Sequence, residues 1–146
     1  NGVNYTYTSG GTVTTLYSPA DSFVLSTSTN TNYGTTNIVI QKNASLEYAG
    51  YMKFDLNSVA GTTISNAKLR INFWTTGQAV TKIYSCATDS WTETGLTWGN
   101  KPAWGTQQAS FTSPNNNWVE VGRDVAGHPR HSPGHEPQCE YPGVQR

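Results

Sequence analysis

The nine residues Asn66–Trp74, NAKLRINFW, decide the class of fold. Apolar and polar side chains alternate along them, with Ala67, Leu69, Ile71 and Phe73 on one side and Lys68, Arg70, Asn72 and Trp74 on the other. Successive side chains of a β-strand point to opposite faces, so this pattern predicts a strand with one buried row and one outward row. The outward row carries two cations and a tryptophan.

Shorter runs of the same character surround this strand. They are TVTTLY (12–17), SFVLS (22–26), NIVIQK (37–42), YMKFDL (51–56), VTKIYS (80–85) and WVEVGRDV (118–125). No amphipathic helical stretch separates them, and closely spaced strands without intervening helices are typical of antiparallel sheets. The sequence therefore predicts an all-β domain over residues 1–126, either a sandwich or a barrel.

Composition and charge narrow the class of function. The chain has 146 residues, of which 12% are charged, and its formal net charge is zero. Nucleic-acid binding needs a basic surplus and a membrane span needs about 20 apolar residues, so we expect neither partner. Abundant Thr, Ser, Asn and Gly among β-branched and aromatic runs indicate a secreted, extracellular domain.

The chain changes character after Ala126. Residues 127–146 hold all three histidines and four of the seven prolines. Proline has no backbone N–H, so frequent prolines remove hydrogen-bond donors that a strand needs. We therefore expect a disordered tail. The alternative is a non-native terminus produced by a frameshift, in place of the last strand of the fold.

Six motifs in order carry a resemblance to a known family: ADSFVLS (20–26), NTNYGTTNIVIQK (30–42), YMKFDL (51–56), ISNAKLRI (64–71), DSWTETGLTWGNKPAWG (89–105) and NNWVEVGRDV (116–125). From about Pro19 to Val125 the chain resembles the DNRLRE domain, also described as carbohydrate-binding module family 96. The resemblance implies an antiparallel, jelly-roll-like β-sandwich that serves secreted polysaccharide-degrading enzymes or surface proteins. It also implies a covalently linked catalytic domain in the parent protein.

Some members of that family bind alginate through basic side chains, so the outward residues of the predicted strands are the candidate ligand contacts. Lys53, Arg70 and Lys82 are expected to form a row across one sheet face, where Arg and Lys bind carboxylates. The remaining candidates are Gln41, Tyr51, Lys68, Trp74 and Trp104. The alternative is a solvated face, and LEYAG (46–50) lacks the basic residue that the resemblance leads us to expect.

The tryptophan-rich stretch Asp89–Gly105 is expected to be mainly structural. In the family that the chain resembles, this stretch recurs whatever the ligand. The resemblance therefore implies a long irregular connection that buries Trp91 and Trp98, while Glu93 and Asn100 bind backbone groups. Trp104 follows Pro102 in a looser context, and it is equally suited to structure or to stacking on a sugar.

Metal and catalytic chemistry have fewer candidates. Asp21 and Asp124 are expected to supply oxygen ligands to a structural Ca²⁺ if the ends of the domain meet. No histidine precedes His128, and Asp89 and Glu93 are paired only by proximity, so no catalytic site is predicted. The sequence predicts a non-catalytic module that binds a polysaccharide. The alternative is a structural or adhesion spacer without a sugar site.

Overall fold

The structure is a computed structural model that describes residues 3–9, 12–74 and 79–124. These residues form the strands β1 (Val3–Ser9), β2 (Thr12–Tyr17), β3 (Ala20–Leu25), β4 (Gln41–Lys42), β5 (Glu47–Lys53), β6 (Asn66–Phe73), β7 (Val80–Cys86), β8 (Trp104–Thr112) and β9 (Asn117–Asp124). A single 3-10 turn, Asn57–Val59, is the only helical element among them. The predicted all-β, antiparallel class of fold is confirmed. No helix in the described ranges is long and apolar enough to cross a membrane.

The strands cluster into two compact units, each assembled from separated chain segments. Unit 1 comprises Ser18–Asp55 and Thr81–Ser110. Unit 2 comprises the described parts of Gly2–Tyr17, Leu56–Val80 and Phe111–Arg146.

Unit 2 contains one four-stranded sheet in the order β2-β1-β6-β9. The alternation predicted for β6 is confirmed, because Ala67 and Ile71 are buried whereas Lys68 is exposed. Ala67 packs with Val59, Leu16 and Ile64 in a small core. The antiparallel register of β6 and β9 places Arg70 opposite Glu120 and Asn72 opposite Trp118.

Unit 1 contains the sheet β3-β5-β4 and nearly all of the strand pair β7-β8. Val24, Tyr51, Trp91 and Leu96 form its core, and Trp98 packs against them. The predicted structural role of Trp91 and Trp98 is therefore confirmed. Burying aromatic rings of this size dominates the energetics of a small core.

Asn32 holds the tryptophan-rich connection in place. Its Nδ2 donates to the carbonyl oxygens of Glu93, at 2.7 Å, and Leu96, at 2.8 Å, while its Oδ1 accepts from Gly34 N at 3.1 Å. A side chain at position 34 would collide with the Glu93 carbonyl, so glycine is required there. These bonds satisfy backbone groups that a buried loop would otherwise leave unpaired.

The predicted roles of Glu93 and Asn100 are also confirmed. Glu93 Oε2 accepts from Asp21 N at 3.3 Å. Asn100 Oδ1 accepts from Thr97 N at 2.7 Å, and its Nδ2 donates to Gly95 O at 2.8 Å. The connection is thus fixed at its own turns as well as at Asn32.

Three elements differ from the sequence prediction. Strands β1 and β8 were not predicted, and most of β8 is exposed, so it lacks the apolar period that reveals a strand. Only the last two residues of NIVIQK form a strand, and the side chain of Ile38 lies against the backbone of Gly50. The tail 127–146 and the question of a missing last strand lie outside the described residues.

We expect Asn32→Ala to destabilise the fold by about 2–4 kcal/mol, because two carbonyls of the connection lose their shared donor. Urea unfolding followed by tryptophan fluorescence measures this free energy. Asn30→Ala is the matched control, because Asn30 is an exposed asparagine of the same loop, and we expect it to change stability by less than about 0.5 kcal/mol. Equal stability of the two variants would contradict the role given to Asn32.

Candidate functional site

Tyr51 is buried rather than outward-facing. It is 6% exposed, and its ring lies edge-on to Trp91 at 6.0 Å between centroids. Its hydroxyl donates to Pro102 O at 3.1 Å and accepts from Trp104 Nε1 at 2.8 Å. The prediction that Tyr51 lies on the outward face is therefore wrong, because this strand turns Tyr51 toward the tryptophan-rich connection.

Burial raises the pKa of Tyr51 from its ordinary value of 10.0 to about 12, and the hydrogen bond from Trp104 opposes this increase. Desolvation penalises the charged phenolate, so the neutral hydroxyl is the form that the core retains. The Tyr51 hydroxyl is therefore protonated throughout the physiological pH range, so it can donate to Pro102 O while it accepts from Trp104 Nε1.

Trp104 is the first residue of β8 and is 42% exposed. The ring of Tyr84 stacks on that of Trp104, with 5.7 Å between the ring centroids and 20° between the ring planes. Lys101 Nζ lies 5.0 Å from the Trp104 centroid and 4.7 Å from that of Trp98. Sequence reasoning missed Lys101, although its position between two tryptophans in WGNKPAW was a usable signal. Much of the Trp104 ring is thus engaged within unit 1.

Lys53 lies in an open cleft of unit 1. Its Nζ is 4.8 Å from the centroid of Trp91, a cation–π geometry. The cleft has a volume of about 430 Å³, and its other lining residues are Met52, Phe54, Cys86, Ala87, Thr88 and Asp89. Lys53 is therefore a cation held over an aromatic ring beside open space, and Asp89 is the acidic group of that cleft.

Lys82 and Gln41 are exposed on other strands of unit 1. Lys82 shares one side of β7 with Tyr84 and Cys86, since alternate residues of a strand face the same way. Cys86 in turn lines the cleft of Lys53. Lys82 and this cleft therefore lie along the same side of β7. Gln41 lies on β4, opposite Tyr48 of β5.

The other candidates lie on the sheet of unit 2. Lys68 Nζ is 3.3 Å from Glu120 Oε2, and Arg70 Nε is 2.9 Å from Glu120 Oε1. The contact between Arg70 Nε and Glu120 Oε1 is an ion pair, and its geometry does not meet the requirements of a hydrogen bond. The Arg70 guanidinium also lies 4.8 Å from the centroid of Trp118. Trp74 follows β6 and is 66% exposed, as predicted for an outward residue.

The predicted row of Lys53, Arg70 and Lys82 on one sheet face is wrong. These residues lie on β5, β6 and β7, and each strand belongs to a different sheet. The error arises because strands adjacent in sequence were expected to pair, whereas β6 pairs with β1 and β9. The contacts of the individual side chains with a ligand stay predictions.

The calcium site also stays a prediction. Asp21 is buried on β3, while Asp124 ends β9 and its side chain lies outside the described part of the structure. Within the described ranges, no three His, Cys, Asp or Glu residues form a group suited to a metal ion.

Exposed tryptophans and cations on open strand surfaces are features of a binding module, whereas small-molecule sites are usually enclosed. The family model of carbohydrate-binding module family 96 matches residues 12–126, and the chain belongs to this family. The chain is also similar to a gellan lyase of a Bacillus species, with 33% identity over 108 residues. That match covers 70% of this chain but 4% of the gellan lyase. No solved structure matches the chain significantly.

The raised pKa of Tyr51 means that its protonated hydroxyl adds to the free energy of unfolding. We expect this contribution to be fully present below pH 10 and to be lost as the pH rises towards 12. The reason is that the folded state binds the phenolic proton more tightly than the unfolded chain does. Tyr51→Phe should abolish this part of the alkaline loss, which amounts to roughly 2 kcal/mol. Urea titrations at pH 8, 10 and 11.5 measure it. Tyr84→Phe, which keeps Tyr51, should behave as the wild type; the same alkaline loss in Tyr51→Phe would refute the assignment.

Proposed function

We propose that the chain is a non-catalytic module that attaches a secreted polysaccharide-degrading enzyme to its polysaccharide. The observation that carries this proposal is the match of residues 12–126 to a family of carbohydrate-binding modules. Linking a weak binder to a catalytic domain raises the effective concentration of that domain at its substrate. The similarity to part of a gellan lyase supports such a linkage.

Exposed side chains of two kinds support sugar recognition. Indole rings stack on the CH faces of pyranoses, and Trp74 and Trp104 present indole surface to solvent. Cationic groups bind carboxylates, and Lys53, Lys82, Lys68 and Arg70 are the candidates. We infer that the polysaccharide is acidic, with alginate and gellan as the first substances to examine.

Absence of catalysis is part of the proposal. The two carboxylates closest in sequence, Asp89 and Glu93, have different environments, since Glu93 accepts a hydrogen bond from Asp21 N. Asp89 lines the cleft of Lys53 in unit 1. Glycoside hydrolysis needs two acids facing one bond, so a carboxylate that fixes the backbone of β3 is poorly suited to that role.

The second candidate function is a structural or adhesion spacer of a surface protein. It is favoured by the ion pairs Lys42–Glu47 and Lys68–Glu120, in which cations on the sheets have partners within the chain. Such pairs protect a surface from association without any ligand. A spacer would be folded and would bind none of the polysaccharides.

Affinity electrophoresis distinguishes the two functions. The folded chain is run with calcium, and then with a chelator, through gels that contain alginate, gellan, xylan or a neutral β-glucan. Retardation supports the module, and loss of retardation or of thermal stability in the chelator supports Ca²⁺ binding. An unretarded chain with the circular dichroism of a folded β protein supports the spacer.

The double variant Lys53→Ala/Lys82→Ala tests the acidic ligand. We expect its affinity for alginate or gellan to fall at least about tenfold, because charge-assisted hydrogen bonds to carboxylates are lost. Lys42→Ala is the matched control, since it removes an exposed lysine of unit 1 that is already paired with Glu47. If both variants are retarded as strongly as the wild type, these lysines do not contact the ligand.

A further inference from the structure

Two half-buried lysines of unit 1 lie over indole rings, and within the described ranges neither forms an ion pair. We propose that Lys101, together with Lys53 and Lys82, binds carboxylates of successive residues along a polyuronate chain. This inference rests on the proposed function and deepens it. It assigns Lys101, which sequence reasoning missed, as a ligand contact, and it places the acidic polysaccharide on one connected surface of unit 1.

Lys101 lies over the rings of two tryptophans. Its Nζ is 4.7 Å from the centroid of Trp98 and 5.0 Å from that of Trp104. Such contacts hold an ammonium group in place, but an indole has no net charge, so the formal charge of the lysine is not neutralised. A lysine that is already held loses less side-chain freedom when a ligand binds. Lys101 therefore presents a fixed positive charge to an anion.

Lys53 is held in the same way by Trp91, another tryptophan of the connection. The distance from Lys53 Nζ to the Trp91 centroid is 4.8 Å, and the lysine lines the cleft of about 430 Å³. Asp89 lines this cleft as well, but the described residues show no ion pair between Asp89 and Lys53. The cleft thus provides space for a sugar carboxylate beside an ammonium group that no acidic side chain has paired.

The ion pairs of the described ranges involve other cations, namely Lys42 with Glu47, and Lys68 and Arg70 with Glu120. A ligand carboxylate has to compete with a bound glutamate at each of these cations. It meets no such competitor at Lys53, Lys82 or Lys101, where a charge-assisted hydrogen bond forms without breaking an existing pair. The three lysines outnumber the one acid of their surface, Asp89, so the surface favours an anionic ligand.

Strand β7 links Lys82 to the cleft of Lys53. Lys82 and Cys86 share one side of β7 and lie about 13 Å apart, at about 3.3 Å per residue. Cys86 lines the cleft, and Lys82 is exposed. The two lysines therefore lie at separated positions along one strand side, a spacing that suits a chain of sugars better than a single sugar.

The stacked rings of Tyr84 and Trp104 link the same strand side to Lys101. Tyr84 lies between Lys82 and Cys86 on β7, and its ring stacks on Trp104, over which Lys101 lies. Tyr84 is 38% exposed and Trp104 is 42% exposed, so both contribute apolar area to the surface between the lysines. A polyuronate presents C–H groups and carboxylates along its length, and this alternation of rings and cations complements it.

Variants of Lys101 test its charge separately from its packing. In alginate gels, Lys101→Met, which keeps an unbranched side chain but removes the charge, should bind about tenfold more weakly than the wild type. Lys101→Arg keeps a cation that can lie over the same rings, so its affinity should stay within about threefold of the wild type. Lys42→Met is the matched control and should bind as the wild type does, because Glu47 already pairs with Lys42.

Competition with short uronates tests whether the lysines act on one chain. Alginate hexamers and monomeric glucuronate are added at equal carboxylate concentration to the wild type in alginate gels. The hexamer should release the chain at a concentration at least about tenfold lower, because its carboxylates reach several lysines at once. Lys101→Met should reduce this difference. Circular dichroism and thermal unfolding check that each variant is folded, and Lys101→Gln carries the same expectation if Lys101→Met is not.

The outcomes separate this inference from the proposed function. If the wild type is retarded by alginate and Lys101→Met is retarded equally, Lys101 is not a ligand contact, and the proposed function stands. An equal loss in Lys101→Met and Lys101→Arg assigns the effect to packing and also overturns the inference. So does a glucuronate monomer that competes as well as the hexamer. A folded wild-type chain that no polysaccharide retards overturns both.

Discussion

A single side-chain amide, that of Asn32, is the constraint on which unit 1 depends. The tryptophan-rich connection can bury Leu96 and Trp91 only if its own carbonyl groups find donors, and Asn32 supplies two of them. Trp91 then meets Tyr51 edge-on, and Tyr51 in turn fixes Trp104. An uncharged bidentate donor suits this position, because a carboxylate of similar shape would present acceptors to acceptors.

On the described surface, charges are compensated locally, and the formal net charge of the whole chain is also zero. Lys42 and Lys68 each lie beside a glutamate, whereas Lys53 and Lys101 lie over indole rings. Cations held in this way lose little side-chain freedom when a ligand arrives, but part of their field is already compensated.

The sequence predicted the elements whose signal is local. Strand β6 was evident from its alternating residues, and the structural role of Trp91 followed from the family resemblance that the motif around it carries. Tyr51 was placed on the wrong side because its partners lie about fifty residues later in the chain, and no periodicity within YMKFDL encodes them. The contact of Arg70 with Trp118 was likewise invisible, since it depends on the pairing of β6 with β9. Strand β8 was missed because solvent exposure removes the apolar pattern by which strands are recognised.

The interleaving of the two units has a consequence for biosynthesis. The four-stranded sheet joins β1, the first of the described strands, to β6, and β6 to β9. Unit 1 needs residues up to about position 110, and unit 2 needs strands from both ends of the described chain. Topologies dominated by contacts between distant residues fold slowly. The sheet of unit 2 therefore cannot close on the ribosome until β9 has emerged, and the unpaired side of β6 must remain protected from association during that interval.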